Sequence, residues 1–247
     1  MNTLIRVEWR KLATTPALHV ATGITIGLTA LSVVIGALLA GYQGTPPAGS
    51  QTNVEKTLSV AAVSSMVMLV LGILAVAGEH RHRTVISTYL AEPRRGRVLA
   101  AKASLLAALG TAFGAVTFGF GYGLAVLLYA ARGIHHLEVD VVRAGVGAAL
   151  AGGCYALLGV ALGALTRNTV GAVLGGLAWV QIVEVGILQN VWPSVAKWLP
   201  TGAGVAVTGP GSAPGLLAPG VAALVLVAWA SALCLLATRV SMRRELR

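Results

Sequence analysis

The apolar positions of this chain come in long blocks, not in alternation. Six stretches are predominantly apolar over the ~20 residues a membrane-crossing helix needs: roughly 17–41, 57–78, 99–131, 143–166, 169–192 and 216–238. The third is long enough for a tilted span plus an extension into water. The pattern predicts an all-α, polytopic integral membrane protein with six transmembrane helices in a single transmembrane domain, residues 1–247. Arg10 and Lys11 precede the first block, as in a secretory signal. Its apolar run is too long for a signal core and no clear A-x-A site follows, so it reads as an uncleaved first helix.

Three polar or mixed segments interrupt the blocks. Met1 to Thr15 sets Leu4, Ile5, Val7 and Trp9 against Arg6, Glu8, Arg10 and Lys11, the make-up of an amphipathic helix lying in the headgroup layer, with Trp9 as an anchor. Glu79 to Lys102 is a basic island carrying Arg81, Arg83, Arg94, Arg95, Arg97 and Lys102. Within it Val85, Ile86, Tyr89 and Leu90 fall at helical spacing, and Pro93 stops the helix. An apolar face in a polar loop calls for a groove to bury it, whereas contact with anionic lipid accounts for the arginines but not for that face. The third segment, Asn190 to Gly215, holds Pro193, Pro200, Pro210 and Pro214 and predicts short helical or re-entrant pieces at the outer surface, over 193–215.

Composition agrees with a bilayer setting. The chain is 56% hydrophobic and 11% charged, against about 25% charged in soluble domains. The net charge of +10 does not mark a nucleic-acid surface, because the basic residues sit in short segments between apolar blocks. Placing the N-terminus inside leaves only Lys56, Arg132, Arg143 and Lys197, of 18 Lys and Arg, in outer segments. The positive-inside rule therefore predicts a multi-pass protein with both termini cytoplasmic, and an even number of spans agrees. Cys154 and Cys234 lie in apolar blocks and read as packing residues. Glycine pairs at small-xxx-small spacing, Gly23/Gly27, Gly110/Gly114, Gly159/Gly163 and Gly171/Gly175, predict a tightly packed bundle.

Gly78-Glu79, Thr84, Leu90, Pro93-Arg94-Arg95 and Lys102 together resemble the membrane subunit of ABC-2 type transporters, the exporter permease family. Arg83 departs from the small residue expected before the threonine. The resemblance implies a cytoplasmic coupling helix between spans two and three, within 79–98, that docks into a cleft of an ATPase subunit. It implies coupling roles for Glu79, Arg83, Thr84, Val85, Ile86, Tyr89, Leu90, Pro93, Arg94 and Arg95. It further implies a plasma-membrane export subunit working as a dimer, with itself or a related permease, on two ABC ATPase subunits. ATP and Mg would be bound by those partners and no cofactor by this chain. Trp198-Leu199-Pro200 looks like the family's outer re-entrant or short-helix segment.

Other motifs are missing. No G-x-x-x-x-G-K-[ST] phosphate loop occurs, so ATP chemistry belongs to another chain and this one is not expected to be an enzyme. His80-x-His82 and His135-His136 lack further ligands for a metal site. Gly119-x-Gly121-x-Gly123 follows no strand, so it is not a dinucleotide fingerprint. One acid stands inside a span: Glu184, paired at i, i+3 with Gln181. That spacing predicts a shared helix face in the outer half of span five, turned toward a translocation path or dimer interface, or toward neighbouring helices as a structural tie. The expected function is ATP-driven export of a hydrophobic or amphipathic molecule such as a drug, lipid or peptide. An ion-coupled secondary transporter would use Glu184 as its ion ligand, and a membrane enzyme or assembly factor would need a polar catalytic cluster that is not visible.

Overall fold

A computed structural model describes residues 2–42, 45, 50, 53–54, 58, 61–81, 95–135, 137, 139–209 and 215–243, and the described elements are helices throughout. α1 (Asn2–Thr14) is followed at once by α2 (Pro16–Leu39). Pro16 opens α2 because proline at a helix start gives up only an N–H that has no intrahelical acceptor. The chain continues through α3 (Ala61–Arg81), α4 (Arg95–Ala130) and α5 (Val141–Thr166). α6 spans Thr169–Val191 and is π-helical over Trp179–Leu188. Two short helices, α7 (Pro193–Ala196) and α8 (Pro200–Thr208), precede α9 (Pro219–Arg243).

Five helices are long and apolar enough to cross a membrane: α2, α4, α5, α6 and α9. The apolar part of α3, Ser64–Glu79, is shorter. Asp140 caps α5 through Arg143 N at 3.0 Å, and Asn168 caps α6 through Gly171 N at 3.1 Å. Between α5 and α6, Arg167 turns the chain in the left-handed region at φ 53°, and its N–H closes on the Gly163 carbonyl.

α5 is the hub. Some 72% of its most apolar window is buried, against 17–28% for the other four long helices. It packs on α3, α4, α8 and α9. Glycine makes this possible. A Cβ at Gly159 would run into the Leu69 carbonyl of α3, one at Gly163 would stand 2.9 Å from the Ile73 carbonyl, and Cβ atoms at Gly110 and Gly114 of α4 would strike the carbonyls of Gly152 and Ala148. Backbones in contact gain the dense van der Waals packing that joins helices where lipid removes the hydrophobic driving force. Two of the four small-xxx-small pairs thus sit at crossings. Gly23, Gly27 and Gly175 would meet nothing within 4 Å, and Gly171 only its own cap, Asn168.

α8 runs alongside the first half of α5 in the opposite direction. Gly204 faces the Tyr155 ring, a Cβ at Gly147 would strike the Val207 carbonyl, and Arg143 Nη1 donates to the Gly209 carbonyl at 2.6 Å. α8 therefore begins beside the middle of α5 and ends at its N-terminal end. Its residues Thr201 to Gly204, Ala206 and Val207 are buried, so this piece of the proline-rich stretch lies within the bundle and not on its surface. Elsewhere, large apolar side chains face outward along α2, α6 and α9, among them Leu31, Leu38, Leu174, Ile182, Leu224 and Leu235.

Gly159→Ala forces the α3–α5 crossing apart and is expected to cost ~1–3 kcal/mol, as overpacking does. Gly23→Ala places its methyl in open space and is expected to hold or slightly raise stability, since alanine favours helix by ~1 kcal/mol over glycine. Thermal midpoints of the detergent-solubilised variants check this, and equal midpoints would contradict the crossing geometry.

Candidate functional site

The helix ends on either side of residues 82–94 carry acids and bases. Glu79 stands in the last turn of α3, and Lys102 lies two turns into α4. α1 turns a face of Leu4, Ile5, Glu8, Lys11 and Leu12 toward the bundle, while Arg6, Val7, Trp9 and Arg10 point out. The amphipathic split of α1 thus differs from the expected one: two of its charged residues are on the inward side, and Val7 and Trp9 are on the outward side.

The inward charges explain this. Lys102 Nζ lies 2.7 Å from Glu8 Oε2, 2.9 Å from Glu79 Oε1 and 3.0 Å from the Ala75 carbonyl. An ammonium has three N–H donors, and here it meets three oxygens. Lys11 Nζ lies 2.9 Å from Glu8 Oε1 and 3.0 Å from Glu79 Oε1. Each carboxylate thus bridges both lysines, and the four charges cancel. Lys102 and Glu8 are each only 4% exposed. Unpaired, such charges would neutralise or drive the helices apart; paired and hydrogen-bonded, they hold α1 against the end of α3 and the start of α4.

Burial pushes the Glu8 carboxyl up, but Lys102 and then Lys11 outweigh it and hold it below the usual glutamate range. Burial likewise pushes the Lys11 ammonium down, and hydrogen bonds to Glu8 and Glu79 outweigh that and raise it.

Of the predicted coupling residues, Glu79 belongs to this cluster. Arg83, Thr84, Val85, Ile86, Tyr89, Leu90, Pro93 and Arg94 lie outside the described residues, as does the side chain of Arg95, the first residue of α4. Glu8, Lys11 and Lys102 were not singled out as one site from sequence. The available signal was Glu8 and Glu79, acids in strongly basic segments at the edges of apolar blocks.

The second predicted pair is not brought together. Glu184 is 1% exposed, while Gln181 is exposed. The i, i+3 reading assumes an α-helix. Over Trp179–Leu188 the helix is π-helical, with the Gln189 N–H reaching back to the Glu184 carbonyl. The wider turn rotates position i+3 off the face of position i. Glu184 instead accepts from Trp179 Nε1 at 2.7 Å and from the Thr201 backbone N–H at 2.9 Å. Thr201 is in the first turn of α8, so the carboxylate satisfies one of the N–H groups a helix start leaves open, at the positive end of that helix. Thr201 was out of reach of a sequence reading, since it stands 17 residues from Glu184, and Trp179, five residues away, reaches the carboxylate only through the wider turn.

Among the described residues no group of three His, Cys, Asp or Glu could hold a metal ion. Cys154 and Cys234 are free thiols. No protein-family model matches the chain, and no curated protein matches it.

Lys102→Met leaves Glu8 and Glu79 facing each other in a buried site. The expected loss is ~3–5 kcal/mol, the range for removing one partner of a buried pair, read as a fall in the thermal midpoint. The pH response has a defined sign. The folded pKa of Glu8 lies below the ordinary glutamate value of 4.5, so its contribution is present above pH 4.5 and fades as pH falls through the depressed value. Lys11 lies above the ordinary lysine value of 10.5, so its contribution is present below pH 10.5 and fades as pH rises through the raised value. Midpoints measured from pH 3 to 7 should show an acid decline that is smaller in Glu8→Gln.

Proposed function

We propose that this chain is the permease subunit of an ATP-binding cassette exporter, moving a hydrophobic or amphipathic molecule outward. In this reading α2, α3, α4, α5, α6 and α9 make six spans, with both termini on the cytoplasmic side of the plasma membrane. α1 lies along the inner interface, and two copies, or one copy and a related permease, enclose the path. Two ATPase subunits bind at the 82–94 segment and supply ATP and Mg.

The observation that carries the reading is the Glu8–Lys102–Glu79–Lys11 cluster. It ties together the helix before the segment, the helix after it and α1. A push delivered to 82–94 reaches three helices that cannot slide past one another without exposing a buried charge. α4 is also suited to carrying it: 36 residues at about 1.5 Å each give ~54 Å, well beyond the ~30 Å hydrocarbon layer. From there α4 meets α5 along the Gly110 and Gly114 crossing, so its movement reaches the hub of the bundle.

A second reading has one observation in its favour. A half-helix that starts at mid-depth beside a buried acid, as α8 does beside Glu184, is the kind of element ion-coupled secondary transporters use at their binding sites. The two readings part on the energy source and on the partner.

Co-expression with an ATPase that carries a phosphate loop should yield a complex that survives detergent extraction. Replacing Val85, Ile86 and Tyr89 together with Asp should abolish co-purification while leaving the thermal midpoint unchanged. A complex that persists in the triple variant would remove the coupling role, and gradient-driven uptake by the chain alone would favour the secondary transporter.

A further inference from the structure

A cavity of about 360 Å³ opens between α5, α6 and α9. That volume falls within the range of about 300–1,000 Å³ usual for small-molecule sites. Leu69, Leu158 and Leu162 contribute apolar walls, and Tyr155, Trp179 and Trp229 contribute aromatic ones. Leu199 and Pro200, at the start of α8, also line it. Its charged lining residue is Glu184.

This carboxylate is held in place from two sides, by Trp179 Nε1 and by the Thr201 N–H. Both donors are neutral groups. Among the described residues no lysine, arginine or histidine forms an ion pair with Glu184, although Glu8, Glu79 and Asp140 all have such partners. An acid in an apolar, water-poor setting is stabilised by a cation that can enter beside it. The aromatic faces add to the same preference, because a ring's negative face attracts a cation within ~6 Å. The apolar walls select a body that leaves water readily.

We propose that this cavity binds an amphipathic monocation, a molecule with an apolar or aromatic body and one positive centre, with Glu184 as its counter-charge. Calling that molecule the exporter's cargo rests on the permease reading above. Binding itself requires no ATPase, so the two can fail separately.

The probe is tetraphenylphosphonium, titrated against the full-length chain in neutral detergent by tryptophan fluorescence, since Trp179 and Trp229 line the cavity. Neutral triphenylphosphine oxide and anionic tetraphenylborate are the comparison ligands. Saturable binding is expected for the phosphonium alone, weakened at least tenfold in Glu184→Gln. That substitution also disturbs the α8 start, so Gly175→Phe provides an independent arm. Gly175 lines the cavity and a Cβ there meets nothing within 4 Å, so the ring fills the mouth while Glu184 keeps its bonds. It should also weaken binding at least tenfold at an unchanged thermal midpoint. Absence of saturable phosphonium binding, equal binding of borate or phosphine oxide, or undiminished binding in either variant overturns the proposal. If binding follows the expected pattern but no ATPase co-purifies, the site stands and the exporter reading falls.

Discussion

A buried ammonium sets the terms for one end of this molecule. Lys102 has left water, and its three N–H groups need three oxygens. They come from Glu8 on α1, Glu79 on α3 and the Ala75 carbonyl of α3. Together they fix α1 and the last turns of α3 relative to α4. Lys11 then balances the second negative charge. Desolvated ions are unforgiving of displacement, because a shift of a few ångströms exchanges a strong attraction for an uncompensated charge. The outcome is a joint where the helices flanking residues 82–94 and the N-terminal helix keep one arrangement.

At the middle of the bundle the constraint is of another kind. α5 is enclosed by neighbours that approach to backbone contact at glycine. This makes room for α8, a short buried helix that starts beside the midpoint of α5. A helix start inside an apolar bundle exposes N–H groups that neither lipid nor water can satisfy. Glu184 supplies the acceptor for Thr201. The π-helical stretch of α6 turns that carboxylate inward while Gln181 and Ile182 face out. The joint and the cap are thus two solutions to one problem, the placing of polar groups where water is scarce.

The apolar blocks made the helices legible, because a run of ~20 apolar residues has few other uses. Their boundaries came close as well: the block at 143–166 is α5, Val141–Thr166. The block at 57–78 was less so, since the described helix is Ala61–Arg81 and its apolar part is only Ser64–Glu79. Glu79 and Lys102 stand out in the sequence for their places in a motif, but not as partners of each other, and Lys11 reads only as positive charge that orients the chain. Pairing across 68 residues leaves no periodic trace. Gln181 and Glu184 show the opposite failure. A local spacing rule was applied where the helix is not α, and nothing in W-V-Q-I-V-E-V-G announces the wider turn. Glycine spacing picked out the α3–α5 and α4–α5 crossings but equally picked out Gly23/Gly27, because the spacing is a property of one helix and the contact a property of two.

The claim that the joint acts as one unit is tested most directly by a double-mutant cycle on Glu8→Gln and Lys102→Gln, with unfolding free energies measured for the two single variants and the double variant in the same detergent. Charged neighbours in one network couple by about 0.5–3 kcal/mol. The double variant is expected to lose less than the sum of the singles by an amount in that range, since removing the second charge relieves the stranded first. Additive losses would mean that Glu8 and Lys102 do not act on each other, and that α1 is not fastened to α4 in the way described.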